Sequence, residues 1–228
     1  MVCGGKGTRI SGVLGSTPKV LAPVGKHCFL DYMLAWIGSS FTAIEHRVNL
    51  LTGIGHDYIS NYMKENPSNI RLIREASPLG TLGAVFNALD SLDDGPVLVL
   101  NGDTIIDIDL FKPFTDFLSD RTKNLLLVKD CIKDSRYGGF RLANHCLRKS
   151  NTNPRFVSMG AFFTEKEKLL LIKKKTSHQS RQLMLDEDFL DKSPTLPYVL
   201  DQGVSFIDIG IPEDYERAQI LIPQIIDI

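Results

Sequence analysis

The sequence predicts an α/β fold with a largely parallel sheet, and two observations carry that prediction. Short apolar segments alternate along the chain with stretches at helical spacing, the pattern of crossover helices covering the faces of parallel strands. The run Val97-Leu98-Val99-Leu100 is apolar throughout, as in a strand buried on both faces, and it stops directly at Asn101-Gly102-Asp103. Open α/β sheets gather ligands at the carboxyl ends of their strands, so Asp103 falls where chemistry is expected.

From the start of the chain, only Met1 and Val2 precede a glycine-rich string, so the first strand looks shortened, either because the sequence starts late or because the strand is curtailed. Apolar Phe29, Leu30, Met33, Leu34 and Ile37 recur at helical spacing and predict a helix over 29–37. A strand over 48–51 and a helix through 58–63 follow. A short strand over 70–73 leads into the turn Pro78-Leu79-Gly80, and a helix is predicted over 82–89. After the strand at 97–100, the apolar run 125–128 supplies another central strand. Gly138-Gly139 and the polar stretch 144–153 predict an irregular region. No internal repeat or linker interrupts the chain, and 228 residues suit a single domain over 1–228 with a substantial core.

Formal net charge is −1, which gives no field for steering toward nucleic acid. The basic run Lys173-Lys174-Lys175 reads as the solvated face of a helix. Cys3, Cys28, Cys131 and Cys146 are scattered without a C-x-x-C pair, the usage of reduced thiols in a cytosolic protein. His27, His46, His56, His145 and His178 lack metal-ligand spacing. No apolar run is long enough to cross a bilayer, and no hydrophobic signal region opens the chain. The expectation is a cytoplasmic protein with neither a membrane nor a nucleic-acid partner.

The string Cys3-Gly4-Gly5-Lys6-Gly7-Thr8-Arg9, followed by Pro18-Lys19, combines what a nucleoside triphosphate needs from a protein. Glycines let backbone N–H groups approach phosphate oxygens that a Cβ would block. Arg9 offers a planar, permanently charged fork, and Lys19 a movable point charge. The spacing is not that of a Walker loop. Tight turns use the same glycines, and solvated surfaces the same cations, so it is the combination that points to phosphate. Asp103 and Asp208 each lie beside a glycine-containing turn. Either aspartate taken alone reads as the cap of such a turn.

Taken together, these strings resemble the motifs of the sugar-1-phosphate nucleotidyltransferase family. The glycine string with Pro18-Lys19 is similar to its G-G-x-G-[ST]-R and P-K signature. Ser77-Pro78-Leu79-Gly80-Thr81-Leu82-Gly83-Ala84 resembles the nucleoside-contacting segment, Leu100-Asn101-Gly102-Asp103-Thr104 the metal-binding N-G-D, and Phe206-Ile207-Asp208-Ile209-Gly210 the second aspartate motif. The resemblance covers almost the whole chain and implies a Rossmann-like three-layer nucleotide-diphospho-sugar transferase fold, with a mostly parallel mixed central sheet. It implies attack by a sugar 1-phosphate oxygen on the α-phosphorus of a nucleoside triphosphate, with pyrophosphate leaving. Arg9, Lys19 and Asp103 are the implied catalytic residues, with Mg²⁺ on Asp103 and Asp208. Cys3, Gly4, Gly5, Gly7, Thr8, Gly80, Thr81 and Gly102 are implied to hold the nucleotide. Homodimers are common among such proteins.

On the sugar side, Arg136-Tyr137-Gly138 resembles the family's R-Y-G, with Gly138 facing the sugar. Leu147-Arg148-Lys149 stands where a glutamate-lysine pair is usual, so Lys149 is the implied phosphate ligand and Arg148 replaces the acid. Ser158-Met159-Gly160-Ala161 stands at the usual N-x-G-[IV], and Glu187 lies in a segment similar to S-x-E-x-D-x-L, where an acidic first turn of a surface helix reads equally well. Asn101 to Leu110 and Phe206 to Tyr215 look most like bacterial D-glycero-α-D-manno-heptose 1-phosphate guanylyltransferases, which puts GTP and a heptose 1-phosphate first. A mannose-1-phosphate guanylyltransferase, a uridylyl or thymidylyl relative, and a noncatalytic nucleotide-sugar-binding homologue remain alternatives. A glycosyltransferase is another, since Asp107-Ile108-Asp109 spells D-x-D.

Overall fold

The structure, a computed structural model, describes residues 1–5, 7–66, 70–130, 139–150, 152, 154–176, 181–190 and 192–228. In chain order it begins with a single-turn helix α1 (Ser11–Leu14) and a tight pair of strands, β1 (Pro23–Val24) and β2 (His27–Cys28). These lead into α2 (Phe29–Ser40), β3 (Val48–Thr52), α3 (His56–Glu65) and β4 (Ile70–Arg74). Next come α4 (Thr81–Ala88), β5 (Pro96–Leu100), β6 (Thr104–Ile106), α5 (Phe111–Ser119) and β7 (Asn124–Asp130). The hairpin β8 (Gly139–Ala143) and β9 (Cys146–Ser150) precedes the long strand β10 (Phe156–Glu165) and α6 (Lys166–Thr176). The chain closes with β11 (Thr195–Val199), β12 (Phe206–Asp208) and α7 (Pro212–Ile225).

These residues form two compact units, one of Met1–Ser77, Asn101–Phe111 and Ser205–Ile228, the other of Pro78–Leu100 and Lys112–Val204. In the first unit, β3 and β4 pair in parallel and β12 pairs antiparallel with β6. The residue before the glycine string is paired on both sides. Val2 bridges Leu51 and Asn101 in parallel, the Cys3 N–H donates to the Leu51 carbonyl at 2.8 Å, and the Gly102 N–H donates to the Val2 carbonyl at 2.9 Å. Those bonds anchor the start of the glycine loop between the ends of two neighbouring segments.

Sequence explains the helices of this unit. At the start of α2 the Cys28 N–H donates to the Asp31 carboxylate at 2.9 Å, satisfying one of the N–H groups a helix start leaves open. Phe29, Leu30, Met33 and Ile37 are buried, as their spacing predicts, whereas Leu34 is half-buried and Trp36, outside that set, is buried as well. α7 starts on Pro212, whose missing N–H costs nothing there, and carries Glu213 and Asp214 in its first turn where acids suit the helix dipole.

The second unit is built on a mixed sheet in the order β11-β7-β10-β8-β9, with β5 also pairing β10. β11 runs parallel to β7, whereas β10 is antiparallel to β5, β7 and β8. Phe117, Phe140, Phe156, Phe162, Phe163 and Phe189 are fully buried in this unit. Burying side chains of that size supplies roughly 1.5–3 kcal/mol each. The stretch 144–153, expected to be irregular, instead contains β9. Asn144 and His145 take positive φ values of 49° and 62° and close a two-residue hairpin, a turn whose twist matches that of its flanking strands. The basic run ends α6, where cations suit the helix dipole, and Lys173 reaches back to the Phe86 carbonyl at 2.9 Å. Among the described residues no helix is long and apolar enough to cross a membrane.

Candidate active site

The first unit assembles the strings whose resemblance implies phosphate and metal binding. Gly102 must be glycine, because a Cβ there would lie 2.7 Å from the Val2 carbonyl oxygen and 2.8 Å from Cys3 Sγ. That close approach sets Asp103 against the root of the glycine loop. From the other direction, Lys19 Nζ donates to Asp103 Oδ2 at 2.7 Å, its side chain 18% exposed. Gly7, with φ 60°, passes the aliphatic stem of Lys19, so loop and lysine are held together. Thr8 lies on the surface, its carbonyl accepting the Ser11 hydroxyl at 2.9 Å. A Cβ on Gly5 would meet no described atom within 4 Å, so packing does not demand glycine there.

Asp208 arrives on β12, whose register sets it opposite Thr104, the residue after Asp103. The Ile209 N–H donates to the Asp103 carbonyl at 3.0 Å, tightening that junction. Asp208 Oδ1 accepts the Gly210 N–H at 2.7 Å, which is the turn-capping role open to it from sequence. The cap does not exhaust the carboxylate. Burial, and then the charge of Asp103, push the Asp208 carboxyl up to about 6. Two anions this close favour any cation between them. Arg9 supplies part of that charge: its Nη2 would lie 3.4 Å from a Cβ on Gly210. Arg9, Lys19, Asp103 and Asp208 therefore share one small volume with the glycine loop. Burial meanwhile pushes the Cys3 thiol up to about 11, so Cys3 serves as a neutral wall of this site.

Glu75 lies against the glycine loop, and motif reading did not single it out. It directly follows β4, its N–H donates to the Thr52 carbonyl at 2.8 Å, and Oε1 would lie 2.6 Å from a Cβ on Gly4. Gly53 faces the same carboxylate. The available signal was an acid placed at the carboxyl end of a predicted strand, just ahead of the Pro78-Leu79-Gly80 turn.

The second unit carries the remaining predicted residues. Gly80 has φ 80° and caps α4, whose first residue is Thr81. A Cβ on Gly80 would lie 2.5 Å from the Leu183 carbonyl oxygen, so two backbones meet here. Lys149 on β9 donates to Glu187 Oε1 at 2.5 Å, and that contact holds the Glu187 carboxyl below the usual range. The structure thus brings these two predicted residues together as an ion pair. Ser158 and Gly160 lie at a register shift in β10. Gly160 supplies the φ of 72° that the irregularity needs, and its N–H donates to Ser158 Oγ at 3.2 Å. Gly138, with Arg136 and Tyr137, lies outside the described residues.

Comparison with known proteins leads the same way. The D-glycero-alpha-D-manno-heptose 1-phosphate guanylyltransferase of Aneurinibacillus thermoaerophilus is 28% identical over 225 residues, covering 96% of this chain and 95% of that protein. The protein of the same name from Campylobacter jejuni subsp. jejuni is 28% identical over 224 residues, covering 94% and 95%. HddC from Yersinia pseudotuberculosis, solved as a complex with GMP-PN, superposes with a TM-score of 0.75 at 26% identity over 96% of each chain. The nucleotidyl transferase family itself matches residues 1–224. A match that runs through both units and takes in every motif placed above makes this chain a member of the nucleotidyl transferase family.

Proposed function

We propose that this chain transfers GMP from GTP to a manno-configured sugar 1-phosphate, heptose ahead of mannose, and releases pyrophosphate. The observation that carries the reading is the convergence of Arg9, Lys19, Asp103 and Asp208 around a glycine loop. In the reaction a phosphate oxygen of the sugar forms a bond to the α-phosphorus while the bond to the β-phosphate bridge breaks on the opposite side. The nucleophile is already anionic, so no general base is needed. Catalysis then rests on neutralising charge and aligning two polyanions.

Backbone N–H groups of the loop through Gly4, Gly5, Gly7 and Thr8 hold the triphosphate in this reading. Arg9 takes the departing pyrophosphate, where negative charge grows, and Lys19 the phosphates nearer the reacting centre. Asp103 and Asp208 fit a divalent cation such as Mg²⁺: both are hard oxygen donors, one already attracts the Lys19 ammonium, and the other is destabilised as an anion. Such an ion, when bound, offsets phosphate charge in the transition state. Lys149 and Glu187 hold the sugar phosphate and its hydroxyls, and the Gly80–Thr81 turn lies along the nucleoside. The family match over residues 1–224 favours treating both units as parts of one nucleotidyltransferase domain.

Guanine is favoured by the two guanylyltransferase relatives and by the nucleotide held in HddC. Glu75 adds a chemical reason. A carboxylate only accepts hydrogen bonds, and guanine presents N1–H and N2–H₂ side by side. Uracil and thymine instead flank one N–H with two carbonyl oxygens, which a carboxylate repels. The test is pyrophosphate release with Mg²⁺ and heptose 1-phosphate or mannose 1-phosphate across GTP, ATP, CTP, UTP and dTTP. Sugar-dependent release, fastest with GTP and less selective in Glu75→Gln, is the expected result. Faster turnover of UTP or dTTP would remove the guanylyl assignment, and folded protein that releases nothing would remove the catalytic one.

A further inference from the structure

One segment of the second unit touches both groups of residues that the proposed function assigns to substrates. Leu183 donates its N–H to the Leu79 carbonyl at 2.9 Å, and its own carbonyl accepts N–H groups from Leu82 at 3.0 Å and Gly83 at 3.4 Å. These bonds fix the turn on either side of Gly80 and occupy N–H groups in the first turn of α4. Four residues further on, Glu187 holds Lys149. Phe189 then packs edge-on against Phe162 of β10, ring centres 5.4 Å apart, on the strand that carries Ser158 and Gly160.

Asp188 holds this segment in shape. Its side chain is fully buried, yet Arg181 reaches it as a fork, Nη1 to Oδ2 at 3.0 Å and Nη2 to Oδ1 at 2.5 Å. Lys192 adds a contact to Oδ1 at 3.2 Å, and the Met184 N–H donates to Oδ2 at 2.9 Å. The backbone closes the loop in return, the Asp188 N–H donating to the Met184 carbonyl at 2.9 Å. Burial alone would push this carboxyl up, but the Arg181, Met184 and Lys192 contacts hold it below the usual range. A charge-assisted fork on a buried carboxylate, its cations reaching in from the surface, tolerates little change of geometry, so the positions of Leu183 and Glu187 are tied to each other.

We infer that Asp188 is a positioning residue that couples the nucleoside turn at Gly80 to the sugar-phosphate pair Lys149–Glu187, so that binding of each substrate tightens binding of the other. This rests on the proposed roles of Gly80 and Lys149. A shift of Leu183 needed to seat a nucleoside is transmitted through Met184 and Asp188 to Glu187, and thence to the lysine it holds. Coupling of this kind is reciprocal by necessity.

The experiment is calorimetric titration of the full chain with a non-hydrolysable GTP analogue and Mg²⁺, and with mannose 1-phosphate or heptose 1-phosphate, each with and without the other. In the wild type, either ligand is expected to tighten the other by roughly fivefold or more, the usual range of coupling between sites. Asp188→Asn keeps the volume and an acceptor for the Met184 N–H, and should reduce that factor to near one while each ligand alone still binds. Arg181→Gln provides a second variant, since Asp188 keeps Lys192 and the Met184 N–H, and should lose coupling in the same way. A residue that only stabilised the fold would lower the melting temperature and leave the factor intact; that result, or a wild type without coupling, overturns the inference. Lys149→Ala separates the two levels. If it leaves sugar-phosphate affinity unchanged, the site assignment itself is wrong; if it weakens that affinity while coupling survives in Asp188→Asn, the inference alone is wrong.

Discussion

Lys19 occupies one oxygen of Asp103 that a divalent cation would take. A free metal ion must displace the ammonium, whereas a metal–nucleotide complex offers Lys19 triphosphate oxygens in exchange. Lys19→Met should therefore bind Mn²⁺ more tightly than the wild type in the absence of nucleotide, even as turnover falls. A partly buried ion pair is worth about 1 kcal/mol, so roughly a fivefold change is expected. Titration of free Mn²⁺ by electron paramagnetic resonance measures it, and equal affinities would show that the pair does not compete with metal. Asp208 gives a second effect at this scale. Its carboxyl is pushed up to about 6 from an ordinary value of 3.8, so the folded state binds that proton more tightly than the unfolded chain. The resulting stability is fully present below the unfolded value and is lost as pH rises through about 6. In a chelating buffer Asp208→Asn, which mimics the protonated form, should match the wild type at acid pH and melt higher above pH 6. A constant difference across that range would mean that Asp208 does not carry the strain.

At the scale of elements, the hairpin β8–β9 shows both what sequence pattern conveys and what it conceals. Polar Asn144, His145 and Asn153 hide the alternation of Leu142, Leu147 and their neighbours, so the stretch reads as irregular although it forms the strand that carries Lys149. The turn that closes it demands positive φ at two non-glycine residues. Asparagine tolerates this through local hydrogen bonding, but histidine gains nothing comparable. His145→Gly should raise stability by about 1 kcal/mol, the cost of holding one ordinary residue in the left-handed region. An increase in the urea midpoint with unchanged slope is the expected signature. No increase would mean that unfolded-state entropy, which glycine raises, cancels the relief. The bulge in β10 makes the converse case. Gly160 sits at φ 72°, so its presence in a string that resembles a sugar-side motif has a backbone cause before any ligand is considered.

Across the whole molecule, the legible residues are those that chemistry groups into contiguous strings. Cys3 to Arg9, Asn101 to Asp103 and Phe206 to Gly210 each place several functional atoms within a few residues, so their chemistry survives in one dimension. Glu75 and Asp188 are placed by partners outside any contiguous motif, Gly4 and Gly53 for the first and Arg181 and Lys192 for the second. An isolated acid among 27 Asp and Glu residues carries no mark that separates it from a surface charge. The consequence for the folded chain as a whole is measurable by ligand stabilisation. A ligand that binds only the native state adds about 2.7 kcal/mol at one hundred times its dissociation constant. For a chain of this length that corresponds to roughly 5–10 °C in melting temperature. With Mg²⁺ present, a non-hydrolysable GTP analogue should raise the melting temperature more than the UTP or CTP analogue at equal concentration. Glu75→Gln should narrow the gap between bases while preserving the shift that all triphosphates share. Asp103→Asn should do the reverse, removing the Mg²⁺-dependent part of every shift while leaving the order of the bases. If one variant altered both, base reading and metal binding would be a single function of one site, and the separate roles given to Glu75 and Asp103 would have to be merged.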